Sequence, residues 1–278
     1  MTWTLPELLG SRPRGPRLIY VSSDMAYYDL YVRPLIHSIV RQIRWIHVHV
    51  HLVVDQAPPT NLEAHERVTH SWEIIDAAFL SLMPMSASVA KNEMNMRMLK
   101  TMDITEIKKK IYYSCARFIR MAELFGPDQQ VLQIDADTIL QGAFAPEEFD
   151  SVTQTPRAMR KPKDPGTLIA SCIGLGTGSA GQQFREHFRE LLLDKFALGA
   201  YWFMDQDCLR EAFSDIEFET IDILWCSWGN KRGMKFFTGK GDKKHQSDFV
   251  NKVESWRGQV TSYVWNHINS VRPGVGMP

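Results

Sequence analysis

Two aspartates one residue apart, Asp135 and Asp137, directly follow the apolar run 131–134. On an extended exit from a strand, such a pair can share one hard divalent cation. Mg²⁺ or Mn²⁺ prefers these oxygen ligands and fills its other positions with phosphate oxygens and water. The carboxyl end of a strand is also where open α/β sheets bind ligands. On spacing alone, the same residues make an acidic surface turn capped by Thr138. A second pair of equal spacing, Asp205 and Asp207 around Gln206, lacks a preceding strand. A basic turn near the end carries Lys240, Lys243 and Lys244 with Gly239 and Gly241. Backbone N–H groups in a tight glycine turn bind anions, and the ammonium groups add charge; a solvated basic loop has the same composition. His47, His49 and His51 alternate along one segment and bring zinc to mind. Alternate residues on a strand lie roughly 7 Å apart, so three imidazoles cannot each stand about 2 Å from one ion. A half-polar sheet face is the simpler expectation. His187 and His267 have no recognisable partner.

The elements that must position these groups follow from periodicity. Residues 18–22 form a short β-rich run. Leu35, Ile36, Ile39, Val40 and Ile43 then repeat at helical spacing, and 46–54 becomes a strand. Strand, helix and strand within about forty residues make a βαβ unit, which predicts a parallel sheet. From 106 to 125, Ile107, Ile111, Cys115, Phe118, Ile119 and Ala122 give one apolar helix face, stopped by Gly126 and Pro127. Further strands are expected at 167–175, 217–221 and 235–238, and helices at 181–196 and 205–213. Prolines and glycines make residues 1–16 a flexible arm, and 271–278 a flexible tail. One domain is expected over 17–270, because no repeat or long linker divides it. Met85, Met94, Met96, Met98 and Met102 crowd the stretch 84–104, where core filling is a simpler role than covering a cleft.

Composition excludes whole classes. The 278 residues carry 32 Lys and Arg against 32 Asp and Glu, so a protein that coats nucleic acid or anionic lipid is not expected. Hydrophobic residues at 44% and charged residues at 23% are ordinary globular values. Four dispersed cysteines, with no CxxC pair, form neither a zinc site nor a disulfide framework and suit a reducing cytosol. No signal-peptide pattern opens the chain, and no apolar run nears the roughly 20 residues of a bilayer span. A cytoplasmic protein without an integral membrane segment is expected.

Four segments carry a family resemblance. IYYSCARFIRMAELFGPDQQVLQIDADTIL (111–140) resembles the approach to the Asp-x-Asp motif in nucleotide-sugar glycosyltransferases of the GT-A fold, especially glycosyltransferase family 8 and its relatives. Tyr112, Tyr113, Arg117, Asp135, Asp137 and Thr138 stand in matching positions. LIYVSSDMAYYDLYVRPLIHSIV (18–40) resembles that fold's first strand, nucleotide loop and first helix. YWFMDQDCL (201–209) is similar to its Asp-Gln pair near the reacting sugar, and KFFTGKGDKK (235–244) to its phosphate-contacting motif.

The resemblance implies a single α/β, Rossmann-like domain, with a mostly parallel central sheet flanked by helices. It implies transfer from a nucleoside-diphosphate sugar, UDP-sugars foremost, to a glycan or other hydroxyl acceptor, with retention of configuration favoured. Asp135 and Asp137 would hold Mn²⁺ or Mg²⁺. Asp205 and Gln206 would lie nearest the anomeric carbon. Asp24 with Tyr28, or its neighbour Tyr27, would meet base or ribose. Arg117 would hold phosphate or the ribose side, Ser171 would face the donor sugar, and Gly239, Lys240 and Lys243 would cradle the diphosphate. Two positions depart from the pattern. Phe236 stands where the family commonly has a metal-binding histidine. In the strand 170–174, only Ser171 is polar where an asparagine is usual. These departures keep open a nucleotide-sugar-binding protein with impaired catalysis. A third alternative is a haloacid-dehalogenase-type phosphatase, whose Asp-x-Asp-x-Thr start the run DADTIL approaches. That match has Ile139 at the fifth position and an aspartate in mid-chain.

Overall fold

A computed structural model describes residues 4–55, 61–86, 102–161, 164–216, 218–229, 231–239 and 245–257. Its centre is a parallel quartet of strands. β2 (Arg17–Ser23) pairs with β3 (His47–Val54) on one side and with β5 (Gln130–Ile134) on the other; β3 pairs with β4 (Val68–Ile74). β1 (Leu9–Gly10) runs antiparallel to β4 at one edge. Beyond β5 come β8 (Asp164–Leu175) and β7 (Pro156–Lys161), both joined antiparallel, and then β9 (Glu219–Ile221) parallel to β7. The eight strands are ordered β1-β4-β3-β2-β5-β8-β7-β9. A small second sheet joins β10 (Cys226–Ser227), β11 (Phe236–Thr238) and β6 (Thr138–Leu140).

Helices cover both faces, which is why Leu18 to Val21 of β2 form a continuous buried apolar run. One face holds α3 (Ala77–Leu82), α4 (Ile104–Leu124), α6 (Gly178–Leu198) and α7 (Met204–Ser214). There Ile111, Phe118, Phe188 and Leu209 pack against Leu18, Val131 and Ile173. The other face holds α2 (Arg33–Gln42) and α5 (Pro146–Thr153), with Ile36, Ile39 and Phe149 against Ile19, Val48 and Leu132. Before α2 come a single turn, α1 (Met25–Tyr27), and a widened π-type turn over Tyr28–Val32. No helix among the described residues is long and apolar enough to cross a membrane.

Within residues 1–16, Leu9 and Gly10 pair with Trp72 and Ser71, so part of the expected arm is a strand. Gly10 has φ +89°, beyond the reach of most side chains, and a Cβ there would stand 2.5 Å from the Trp72 ring, so this close approach to β4 requires glycine. The tail 271–278 and Met94, Met96 and Met98 lie outside the described residues.

The histidine strand departs from the half-polar face expected of it. His49 and His51 are fully buried, and β4 supplies partners at matching registers. His49 Nδ1 lies 2.8 Å from Thr69 Oγ1, and its Nε2 lies 2.9 Å from Ser71 Oγ. His51 Nδ1 is 2.9 Å from the same hydroxyl, and its Nε2 is 3.2 Å from Glu73 Oε1. A continuous chain of hydrogen bonds thus runs from Thr69 through His49, Ser71 and His51 to the acceptor-only carboxylate of Glu73.

Burial holds the His49 imidazole well below its ordinary range, helped by nearby His51, His70 and Arg12. Burial likewise lowers His70 to about 4. Both groups are neutral when folded and titrate near ~6.5 when unfolded. Their stabilising effect is therefore complete above that pH and is lost as pH falls below it. Between pH 6 and pH 5, His49 and His70 together should add an uptake of about two protons on unfolding, a share of the slope of roughly 2.7 kcal/mol per pH unit, to which the milder lowering of His47 and His65 adds in the same direction. Urea unfolding across this range measures the slope, and His70→Asn should lower it by about half of that share.

Candidate active site

The strand order reverses between β2 and β5: β3 and β4 continue to one side, and the next strand of the quartet inserts on the other. Loops leaving the carboxyl ends of two such strands diverge and open a crevice. A cleft of about 630 Å³ lies there. Its floor comes from Ser22 and Ser23 at the end of β2 and Asp24 just after it, Asp55 after β3, Asp135 to Asp137 after β5, and Ser171 of β8. One wall is α4, presenting Lys109, Tyr113 and Arg117. The other is the approach to α7, with Trp202, Phe203, Asp205 and Gln206.

The central charge is Arg117. Its guanidinium forms an ion pair with Asp135, and its Nη2 lies 3.5 Å from Asp205 Oδ2. Tyr20 fixes this turn of α4 by donating its hydroxyl to the Arg117 carbonyl at 3.0 Å. Burial pushes the Asp205 carboxyl up, and Arg117 only partly offsets that. Burial alone would lower Arg117, but Asp135 and Asp205 outweigh it and raise its pKa. Gln206 reaches Asp205 at 3.5 Å, while Asp207 turns away to Tyr201 and Arg210. Asp135 is held by its backbone N–H, which donates to the Ser171 carbonyl at 3.1 Å.

Asp137 joins the small sheet. Its carbonyl accepts from Gly239 N–H at 2.7 Å, and the Thr138 and Thr238 hydroxyls meet at 3.0 Å in the next rung. The segment entering the basic turn therefore starts beside Asp137. Lys240 and Lys243, together with Lys244, lie outside the described residues. Gly239 packs under Phe249, whose ring would stand 2.5 Å from an added Cβ, and does not line the cleft.

Several placements refine the sequence expectations. Asp24 lines the cleft and also caps α1, accepting from Tyr27 N–H at 2.7 Å. Tyr27 lines the cleft; Tyr28 does not. Tyr28 is fully buried, its hydroxyl 3.1 Å from His70 Nε2 and accepting from Glu63 N–H at 2.8 Å. Successive helical residues differ by about 100° in direction, so only one of the pair can face the ligand. Phe236 is fully buried opposite Leu140 and packs on Phe144. It is a core position three residues along the ladder from Asp137, so its lack of a histidine says little about this cleft.

Other features escaped the sequence. Asp55 pairs with Lys109 at 2.7 Å and accepts from the Tyr113 hydroxyl at 3.3 Å. Its signal was its place at the end of a parallel strand. Phe203 has φ +71° and ψ +12°, a left-handed conformation that costs a bulky residue about 1–2 kcal/mol. Its strain lies two residues from Asp205, where backbone strain often marks function. The buried Oγ atoms of Ser22, Ser23 and Ser171, and Arg117 Nε, have no protein partner. All four residues line the cleft, so a polar ligand there would satisfy groups that are costly to leave unpaired.

Two solved structures match this chain. The galactosyltransferase LgtC, solved with donor and acceptor sugar analogues, matches with a TM-score of 0.52 at 11% identity, over 87% of this chain and 99% of its own. The apo form of the glycosyltransferase GlyE from Streptococcus pneumoniae TIGR4 matches with a TM-score of 0.46 at 16% identity, over 77% of this chain. This chain spans 46% of the GlyE chain. No family model and no curated protein sequence matches. The likeness to LgtC is one of fold, and it agrees with the GT-A-type α/β architecture expected from the four motifs.

Proposed function

We propose that this protein is a metal-dependent glycosyltransferase that moves a sugar from a nucleoside-diphosphate sugar, UDP-sugars foremost, to a glycan or other hydroxyl acceptor. The observation that carries the proposal is the convergence of Asp135, Asp137, Arg117, Asp205 and Gln206 in one cleft at the switch point. Asp135 and Asp137 supply the hard oxygen donors that Mg²⁺ or Mn²⁺ takes, and one or two carboxylates plus phosphate oxygens are its usual set. When bound, the cation would neutralise charge on the leaving diphosphate. Arg117 orients phosphate oxygens from the helix wall. Asp24 and Tyr27, with the orphan hydroxyls of Ser22 and Ser23, line the end suited to base and ribose. Ser171 faces the donor sugar. Asp205 and Gln206 place oxygen atoms where positive charge develops on the sugar ring, so they stabilise it electrostatically. Retention of configuration is the favoured outcome. The four cysteines are buried and unpaired, which supports action in a reducing, cytoplasmic setting.

A thermal-shift series of nucleoside diphosphates, with and without Mn²⁺, tests the proposal. One member, UDP first, should raise the melting temperature by several degrees with Mn²⁺ and much less without it. Ligand at a hundred times its Kd adds about 2.7 kcal/mol, and each kcal/mol is worth roughly 2–4 °C at this size. No shift from any nucleoside diphosphate with Mn²⁺ overturns it. The same shift without release of nucleoside diphosphate from any sugar donor would favour the binding protein with impaired catalysis.

A further inference from the structure

We infer that Arg117 competes with the divalent cation for Asp135, so that the cation binds tightly only together with the nucleoside diphosphate. This inference rests on the transferase reading and adds an order of binding to it. The Arg117 side chain is only 12% exposed, and its guanidinium lies between Asp135 and Asp205. An oxygen that accepts from a guanidinium has less capacity left for a cation, and the two positive charges repel at short range. Arg117 thus fills part of the role that a cation would take at the cleft floor. Its Nε is a buried donor with no acceptor in the protein. A diphosphate entering the cleft supplies acceptors for the guanidinium, since arginine matches phosphate oxygens well. The same oxygens complete a cation's coordination. Drawing Arg117 toward phosphate releases Asp135, and each ligand then favours the other beyond simple neutralisation.

The test is Mn²⁺ binding followed by the electron paramagnetic resonance signal of unbound Mn²⁺, with and without UDP. Wild type should bind Mn²⁺ weakly alone and far more tightly with UDP. Arg117→Gln, with its fold checked by circular dichroism, should bind Mn²⁺ alone at least about tenfold more tightly, the value of one lost charge-assisted competitor. UDP should then add less than in wild type. Arg117→Lys keeps the charge but cannot fork between two carboxylates, and should gain about threefold. Should the glutamine variant fail to fold, the lysine variant decides. Arg117 variants that bind Mn²⁺ alone no better than wild type overturn the competition. So does tight Mn²⁺ binding to wild type without UDP, which leaves the transferase reading standing. Absence of Mn²⁺ binding with UDP and with every other nucleoside diphosphate overturns both.

Discussion

Asp137→Asn should lower sugar transfer by two to three orders of magnitude and abolish the Mn²⁺-dependent part of nucleoside diphosphate binding. That is the size of loss expected when one preorganised stabiliser of a developing anion is removed. The substitution keeps the backbone carbonyl that accepts from Gly239, so the rung between β6 and β11 survives. Asp135→Asn should abolish transfer equally but carries a second cost. Asp135 is the nearer of the two carboxylates that hold buried Arg117; the other, Asp205, stands 3.5 Å away. Removing one partner of a buried pair leaves charge uncompensated, at a cost of about 3 kcal/mol. Urea unfolding should therefore separate the two variants even though an activity assay does not. Thermal shift with UDP and Mn²⁺ provides the binding readout. If Asp137→Asn retains the full Mn²⁺-dependent shift, the assignment of the cation to this pair is wrong.

The difference between these two aspartates was not legible in the sequence, and the reason is physical. Strand and helix periodicity reports which face of an element is apolar. That was enough to find β2, β3, β5, α2 and α4, and to place Asp135 at a strand's carboxyl end. It does not report which polar residues meet. The Arg117 pair spans two elements, and the contact with Asp205 joins helices α4 and α7 across the cleft. β4 went unrecognised for a related reason. Its run Val68–Ile74 places Thr69, Ser71 and Glu73 on a buried face, where an apolar alternation would be sought. Those residues are inside because His49 and His51 on the neighbouring strand meet them, and no single segment shows that. β7 was hidden by Pro156 and by Arg157, Arg160 and Lys161. The Tyr27–Tyr28 choice turned on one residue of helix phase just ahead of a π-type turn. By contrast, Asp24, Arg117, Asp135, Asp137, Ser171, Asp205 and Gln206 all line one cleft, although 182 positions separate the first from the last. Their residue types and local context were informative because all but Ser171, which lies within β8, sit at the end of an element or on a helix wall.

Glu73→Gln should cost about 3–5 kcal/mol of folding stability, a large part of the 5–15 kcal/mol typical of a domain. Glu73 is fully buried on β4, 3.2 Å from His51 Nε2 and accepting from Arg120 Nε at 2.7 Å. Arg120 continues the chain to Glu123, which also receives Arg189 at 3.0 Å. Burial alone would raise the Glu73 carboxyl, but His51 and Arg120 outweigh it and hold its pKa below the ordinary value. Its stabilising effect is therefore present above the unfolded carboxylate range, near ~4.3, and is lost as pH falls through the lower folded value. Equilibrium urea unfolding should show the full gap between wild type and Glu73→Gln at pH 7, narrowing below pH 4. A gap under about 1 kcal/mol at pH 7 would mean that Arg120 is satisfied by Glu123 alone. The double variant Glu73→Met with Arg120→Met removes both charges and should recover only part of the loss: an apolar pair of similar volume escapes the desolvation cost, but buried His51 Nε2 loses its acceptor. Arg120 lies on α4 one turn beyond Arg117, so this buried pair ties the helix that presents Arg117 to the sheet that presents the cleft floor. In the double variant stability should partly return while Mn²⁺-dependent UDP binding falls below that of wild type, because the ion pair sets the pose of α4 as well as its attachment.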